Sequence, residues 1–185
     1  MNHLRVNDKV RLESLEFSMA EVVFKTIERD RQYLREWLPF IDATKVVSDT
    51  EAFIKSLLLQ KEKKRDDVFA IWYNEEFAGL IGFKDTDWMN RKTEIGYWLA
   101  WPMQGKGIMT ASVSSLVNFA FKKMGINRVQ IKVAKGNVKS EGIPSRLAFF
   151  YEGIEREGEL LHGKYHDLNI YSLLKTDLKL PKGVL

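Results

Sequence analysis

The 185-residue chain contains no cysteine, and this one absence removes disulfide staples, cysteine metal sites and a thiolate nucleophile. Any acyl chemistry performed here must avoid a cysteinyl intermediate. No run is long and apolar enough to cross a bilayer, and residues 1–17 mix charges throughout, without the apolar stretch of a signal peptide. A cytoplasmic protein without membrane contact is expected. Charge of one sign is scarce too: 29 basic residues stand against 25 acidic ones, and a net +4 is a weak argument for nucleic-acid binding. There is no Gly-x-Ser-x-Gly elbow, internal repeat, low-complexity segment or linker. Residues 1–185 are therefore expected to form a single domain around one core.

What the chain does have is the run Met103-Gln104-Gly105-Lys106-Gly107-Ile108-Met109-Thr110, set between a strand-like and a helix-like stretch. Unpaired amides at the start of a helix carry partial positive charge, so a glycine-opened turn into a helix favours a bound phosphate. Two glycines also serve as ordinary turn punctuation, so the pattern alone leaves both readings open. It is not a P-loop, because Lys106 is followed by Gly107, and it lacks the third glycine of a dinucleotide fingerprint, because Thr110 stands there.

The surrounding elements read as a mixed α+β fold. A strand over 10–15 is followed by Ser18 and Glu21 at capping-box spacing, then by apolar Val22, Val23, Phe24 and Ile27. A short helix over 30–38 is expected to stop at Pro39, and Ser48 or Asp49 to open a third. The charged run at 61–67 reads as a solvated helix end and loop. Strands over 68–73, 77–84 and 93–100 suggest an antiparallel meander. After the glycine turn, Met109, Val113, Leu116, Val117, Ala120, Phe121 and Met124 share a helical face that Gly125 ends, and a strand over 128–133 completes a βαβ unit. A helix over 144–152 and closing strands around 154–161 and 169–175 finish the chain. His162 and His166 are four apart, but Gly163 between them indicates a hairpin and not a metal-binding helix face.

The segment Glu94-Ile-Gly-Tyr-Trp-Leu-Ala-Trp-Pro-Met-Gln-Gly-Lys-Gly-Ile-Met-Thr110, followed by a helix, a strand and Asn137-x-x-Ser140, resembles the GCN5-related N-acetyltransferase (GNAT) superfamily. Within it, the chain most resembles the ribosomal-protein α-amino acetyltransferases, through Arg31-x-x-Leu34-x-x-Trp37-Leu38-Pro39 and Leu161-His-Gly-Lys-Tyr-His-Asp167. The resemblance implies a mixed, mostly antiparallel central sheet, splayed in the middle, with helices on both faces. It implies acetyl-CoA as cosubstrate, no metal, and acetyl transfer by direct attack of a primary amine. Amides of Gln104, Gly105, Lys106, Gly107, Ile108, Met109 and Thr110 would hold the pyrophosphate. The strand ending at Leu99, Ala100 and Trp101 would pair with pantetheine, with an amide near Leu99 polarising the thioester carbonyl.

The same resemblance assigns Glu159 as a base acting through water and Ser140 as the acid for the departing thiolate. The plainer alternatives are a solvent-facing strand residue for Glu159 and a helix cap for Ser140. Asn137 would bond pantetheine or a substrate backbone, or cap a turn, and Tyr33 and Trp37 would shape the acceptor groove. Two departures stand out: Met109 replaces a small residue, and Pro144 and Ala148 replace the Ala and Gly of the later coenzyme helix, which Pro144 is expected to delay or distort. The favoured acceptor is the amino terminus of a protein such as a ribosomal protein. The alternatives are a polyamine or aminoglycoside acceptor and a non-catalytic acyl-CoA binder, and pairing of two copies through an edge strand or helix is left open.

Overall fold

Short β-branched and aromatic runs separated by tight turns favour strands, and the computed structural model has eight of them in one sheet. It describes residues 3–62 and 67–179, so the expectation for 61–67 lies largely outside the described residues. The strands are β1 (His3–Arg5), β2 (Val10–Ser14), β3 (Val68–Tyr73), β4 (Glu76–Asp87), β5 (Lys92–Leu99), β6 (Arg128–Ala134), β7 (Phe150–Leu161) and β8 (Lys164–Leu174). Their order across the sheet is β1-β2-β3-β4-β5-β6-β8-β7. Every neighbouring pair is antiparallel except β5 with β6, which run parallel and meet only at Lys92↔Arg128, Thr93↔Val129 and Glu94↔Gln130. Beyond Glu94 the two strands part, and the sheet is splayed there.

The splay leaves backbone groups without a strand partner. Peptide groups along a strand point alternately to its two sides. The Ala100 N–H is turned toward β4, donating to the Ala78 carbonyl at 2.8 Å, so the Leu99 N–H is turned the other way, into the opening.

Side-chain alternation divides the apolar residues into two layers. Phe69, Ile71, Ala78, Ile81 and Ile95 face α4 (Ile108–Phe119) and α5 (Val138–Arg146), which contribute Val113, Leu116, Val117 and Ile143. Ala70, Phe77, Leu80 and Trp98 face α1 (Ala20–Arg29), α2 (Arg31–Arg35) and α3 (Val47–Glu62), which supply Val23, Ile27, Leu34 and Ile54. Helices thus cover both faces of the sheet. No helix among the described residues is long and apolar enough to cross a membrane.

Several helix starts differ from the sequence reading. A single 3-10 turn, Phe17–Met19, precedes α1, so Ser18 is already inside helical geometry and no side chain caps the helix. Glu21 pairs with Lys25 instead, at 2.7 Å. Helix α2 ends at Arg35, earlier than expected, while Leu38 N–H still bonds the Leu34 carbonyl at 3.0 Å just before Pro39. Helix α3 opens at Val47, and Asp49 reaches back to accept from the amides of Lys45 and Val46 at 2.8 and 3.0 Å. Helix α4 runs into one π-turn and ends at Gly125, whose φ of 72° is left-handed.

The largest difference is α5, expected over 144–152 and found at Val138–Arg146 with Pro144 in its last turn. Asn137 caps it, its Oδ1 accepting from the Ser140 amide at 3.2 Å, so Asn137 and not Ser140 fills the capping role. The Pro144 carbonyl accepts the Phe149 N–H at 3.0 Å, the helix closes there, and β7 begins at Phe150, earlier than the expected closing strand.

Candidate active site

The opening between β5 and β6 continues as a cavity of about 520 Å³ that reaches both helical layers. Its lining joins Tyr33 and Trp37 of the α2 region, Tyr97 and Leu99 of β5, the glycine turn, and Asn137 and Ser140 of α5. Gln104, Gly105, Gly107, Ile108, Met109 and Thr110 all line it. Gly105 and Gly107 have φ of 72° and 74°, a conformation costly for other residues, and an added Cβ at either would meet open space. Gly107 is the N-cap of α4, and no side chain caps the amides that follow. The turn therefore offers free donors at the positive end of a helix dipole, beside a cavity.

Two cations of α5 face this turn. Lys139 Nζ donates to Gln104 Oε1 at 2.8 Å and lies 4.3 Å over the Trp101 ring, which meets Tyr33 edge-on at 5.0 Å. Arg146 Nε donates to Thr110 Oγ1 at 3.3 Å. Sequence reasoning missed both, although Lys139 and Arg146 are seven residues apart, two turns of one helix. The Gln104 side-chain amide borders the Tyr33 phenol, whose pKa burial raises, and its Nε2 is buried without a full hydrogen bond.

Tyr97 is the third residue the sequence reading passed over. Its hydroxyl accepts from Ser140 Oγ at 3.2 Å and lies 3.3 Å from the Ser140 carbonyl oxygen. Burial pushes its pKa up to about 12, against a smaller opposing effect of the Ser140 contact. The phenol is protonated throughout the ordinary pH range.

Some expected residues stand apart from the cavity. The Ala100 amide is spent on β4, and the Trp101 amide donates to Asp30 Oδ2 at 2.8 Å, leaving Leu99 as the strand end facing the opening. The Lys106 side chain turns away, its ammonium 5.4 Å over the Tyr73 ring. Glu159 is on β7 opposite His166 of β8, outside the cavity lining. Burial raises its pKa, opposed by the charges of Lys84 and His166. Lys84 and Glu94 share a strand face with Trp98, which packs on the α1–α3 layer, so Glu159 approaches the opening from that side. Glu94, the carboxylate that acts on it, is paired with Lys84, and Glu155 on the same strand with Lys132, each at 2.7 Å. Glu159 has no ion pair or hydrogen bond among the described residues.

The hairpin between β7 and β8 turns at His162 and Gly163. At its tip His162 Nε2 lies 2.6 Å from the Arg35 carbonyl, which accepts, and Nδ1 lies 3.5 Å from Asp42. The two histidines thus have separate surroundings, and the hairpin bridges to the end of α2 beside the cavity.

An acetyltransferase (GNAT) domain family matches residues 9–149. The chain belongs to that family. It is an N-acetyltransferase, and its mixed, mostly antiparallel sheet with helices is the family's fold. A putative ribosomal N-acetyltransferase of Bacillus subtilis, YdaF, is 35% identical over 177 residues, covering 94% of this chain and 95% of that protein. The solved RimL, a ribosomal L7/L12 alpha-N-protein acetyltransferase in complex with coenzyme A, superposes with a TM-score of 0.90 at 25% identity, covering 93% of this chain and 97% of that one. The microcin C7 self-immunity acetyltransferase MccE, in complex with acetyl-CoA and AMP, gives 0.89 at 29% identity, covering 94% and 96%.

Proposed function

We propose that this N-acetyltransferase moves an acetyl group from acetyl-CoA directly to the α-amino group of a protein amino terminus, with a ribosomal protein as the favoured acceptor, in the cytoplasm. The coenzyme's diphosphate lies on the free amides of the glycine turn, and its pantetheine arm enters the opening past Asn137. The thioester carbonyl accepts from the Leu99 N–H, which is preorganised for the developing oxyanion. Ser140 donates a hydrogen bond to the sulfur as the C–S bond breaks, and the freed thiolate takes a proton from water on release.

The amine enters from the α1–α3 side, past Tyr33 and Trp37. The observation that carries the acceptor assignment is Glu159, an unpaired, half-buried carboxylate among paired ones. An α-amine with pKa ~7.7–8.0 is roughly a tenth neutral at pH 7, whereas a lysine amine at ~10.4 is neutral in fewer than about one molecule in a thousand. A single base, its pKa raised by burial and acting directly or through water, suits the former. A polyamine would call for several free carboxylates converging on Glu159, and Glu94, the carboxylate that bears on it, is already paired with Lys84. RimL, whose name places its activity on an α-amine, supports the same choice.

The test is to incubate the protein with acetyl-CoA and ribosomal-protein amino-terminal peptides, the same peptides blocked at the terminus, and spermidine, locating the acetyl group by mass spectrometry. Acetyl on the free terminus alone is expected. Turnover confined to spermidine overturns the acceptor, and coenzyme binding without any turnover overturns the catalytic reading.

A further inference from the structure

The Ser140 carbonyl occupies an unusual position. In an α-helix it would accept the N–H of residue 144, but residue 144 is proline and has none. The carbonyl is satisfied from outside the helix, by the hydroxyl of Tyr97 on β5 at 3.3 Å. The same hydroxyl accepts the Ser140 Oγ proton at 3.2 Å. Pro144 thus releases the acceptor that ties α5 to β5 between two residues that line the cavity. Nothing in the sequence pattern alone joins positions 97, 140 and 144.

We propose that Tyr97 is a positioning residue that works through Ser140: its hydroxyl, donating to the carbonyl that Pro144 frees, holds α5 against β5 and so places the Ser140 hydroxyl to turn from Tyr97 to the sulfur once coenzyme is bound. The inference rests on the leaving-group role given to Ser140 above. Before coenzyme binds, the Ser140 hydroxyl donates to the Tyr97 oxygen, while the Tyr97 proton is directed at the Ser140 carbonyl. With the thioester present, rotation of the Ser140 hydroxyl alone turns its proton from Tyr97 to the sulfur, and the Tyr97 proton stays directed at the Ser140 carbonyl. No proton leaves Tyr97, whose pKa of about 12 keeps it a donor where a thiolate departs.

The experiment compares wild type, Tyr97→Phe, Ser140→Ala, the double variant and Pro144→Ala in steady-state kinetics, with thermal unfolding of each as a check on folding. Tyr97→Phe keeps the ring in its packing and is expected to lower kcat by about tenfold, with KM for acetyl-CoA changed by less than about twofold. The double variant should be no slower than Ser140→Ala. Pro144→Ala, which restores a competing N–H for the Ser140 carbonyl, should lower kcat in the same direction by a smaller factor without loss of stability. Equal losses that multiply in the double variant, or a Tyr97→Phe enzyme with wild-type kcat beside a slow Ser140→Ala, overturn the proposal while leaving the role of Ser140 standing. A Ser140→Ala enzyme with wild-type kcat overturns both.

Discussion

At the scale of the residue, Glu159 has the most to answer for, because in its proposed role its environment bears on both a rate and a stability. Burial raises its carboxyl pKa above the ordinary 4.5, more than Lys84 and His166 lower it. As a base it must be ionised, so the acidic limb of kcat/KM should fall above pH 4.5, with a second rise toward the pKa of the free α-amine. Glu159→Gln should cost about a hundredfold in kcat and lose the lower limb, leaving coenzyme affinity nearly unchanged, as pH–rate profiles and calorimetric titration with coenzyme A would show. The stability effect has the opposite sign. The folded state holds the proton more tightly than the unfolded chain, so stability present at low pH is lost as pH rises from the unfolded value through the folded one. Glu159→Gln escapes that loss, and denaturant unfolding should find it more stable than wild type at pH 7, with the advantage gone below pH 4.5. A variant that is both inactive and destabilised at pH 7 would mark Glu159 as a structural residue.

At the scale of the element, α5 shows what the sequence could and could not convey. The Asn137-x-x-Ser140 spacing pointed to the right place, yet Pro144 reads as a helix start, since proline favours a first turn. It fits near the end instead because the bond it cannot make is supplied by Tyr97, a residue forty-seven positions earlier in the chain, and local pattern carries no such information. The meander was legible to the residue at β3, where aromatic and β-branched residues alternate around short turns. The same helix contains a test in Gly142. A Cβ there would lie 2.8 Å from an Arg146 guanidinium nitrogen, so the missing side chain lets Arg146 fold back toward Thr110 and the glycine turn, the proposed seat of the coenzyme's phosphates. Gly-to-Ala inside a helix ordinarily stabilises by about 0.5–1 kcal/mol. Gly142→Ala should raise the melting temperature slightly while raising KM for acetyl-CoA by about tenfold, the loss of one charge-assisted contact to phosphate. Arg146→Ala should reproduce the KM change, and the double variant should add nothing to it. On the far side of the sheet, Glu152 accepts from Arg128 at 2.6 Å and from Ser172 at 2.7 Å, which pulls its pKa down to about 2. That stability is present above pH 4.5 and fades as pH falls toward 2, so Glu152→Gln should be destabilised at neutral pH and converge on wild type in acid.

At the scale of the whole molecule, charge is sorted between the two mouths of one opening. The α4–α5 side presents free helix amides with Lys139 and Arg146, while on the α1–α3 side Glu94 is neutralised by Lys84 and Glu159 has no ion pair among the described residues. An anionic coenzyme is drawn to the first mouth by these local cations and amides and not by the chain's net +4. Salt then becomes a probe of which mouth recognises charge. Raising ionic strength from 0.05 to 0.5 M shortens the screening length from about 14 Å to about 4 Å. The KM for acetyl-CoA should rise severalfold, that for acetyl-pantetheine, which has no phosphates, should stay flat, and the KM for an amino-terminal peptide should change little. A cationic polyamine acceptor would give the reverse at the second mouth, a steep salt dependence of the acceptor KM. If acetyl-CoA and acetyl-pantetheine respond alike to salt, the glycine turn and its two α5 cations are not where the phosphates are held.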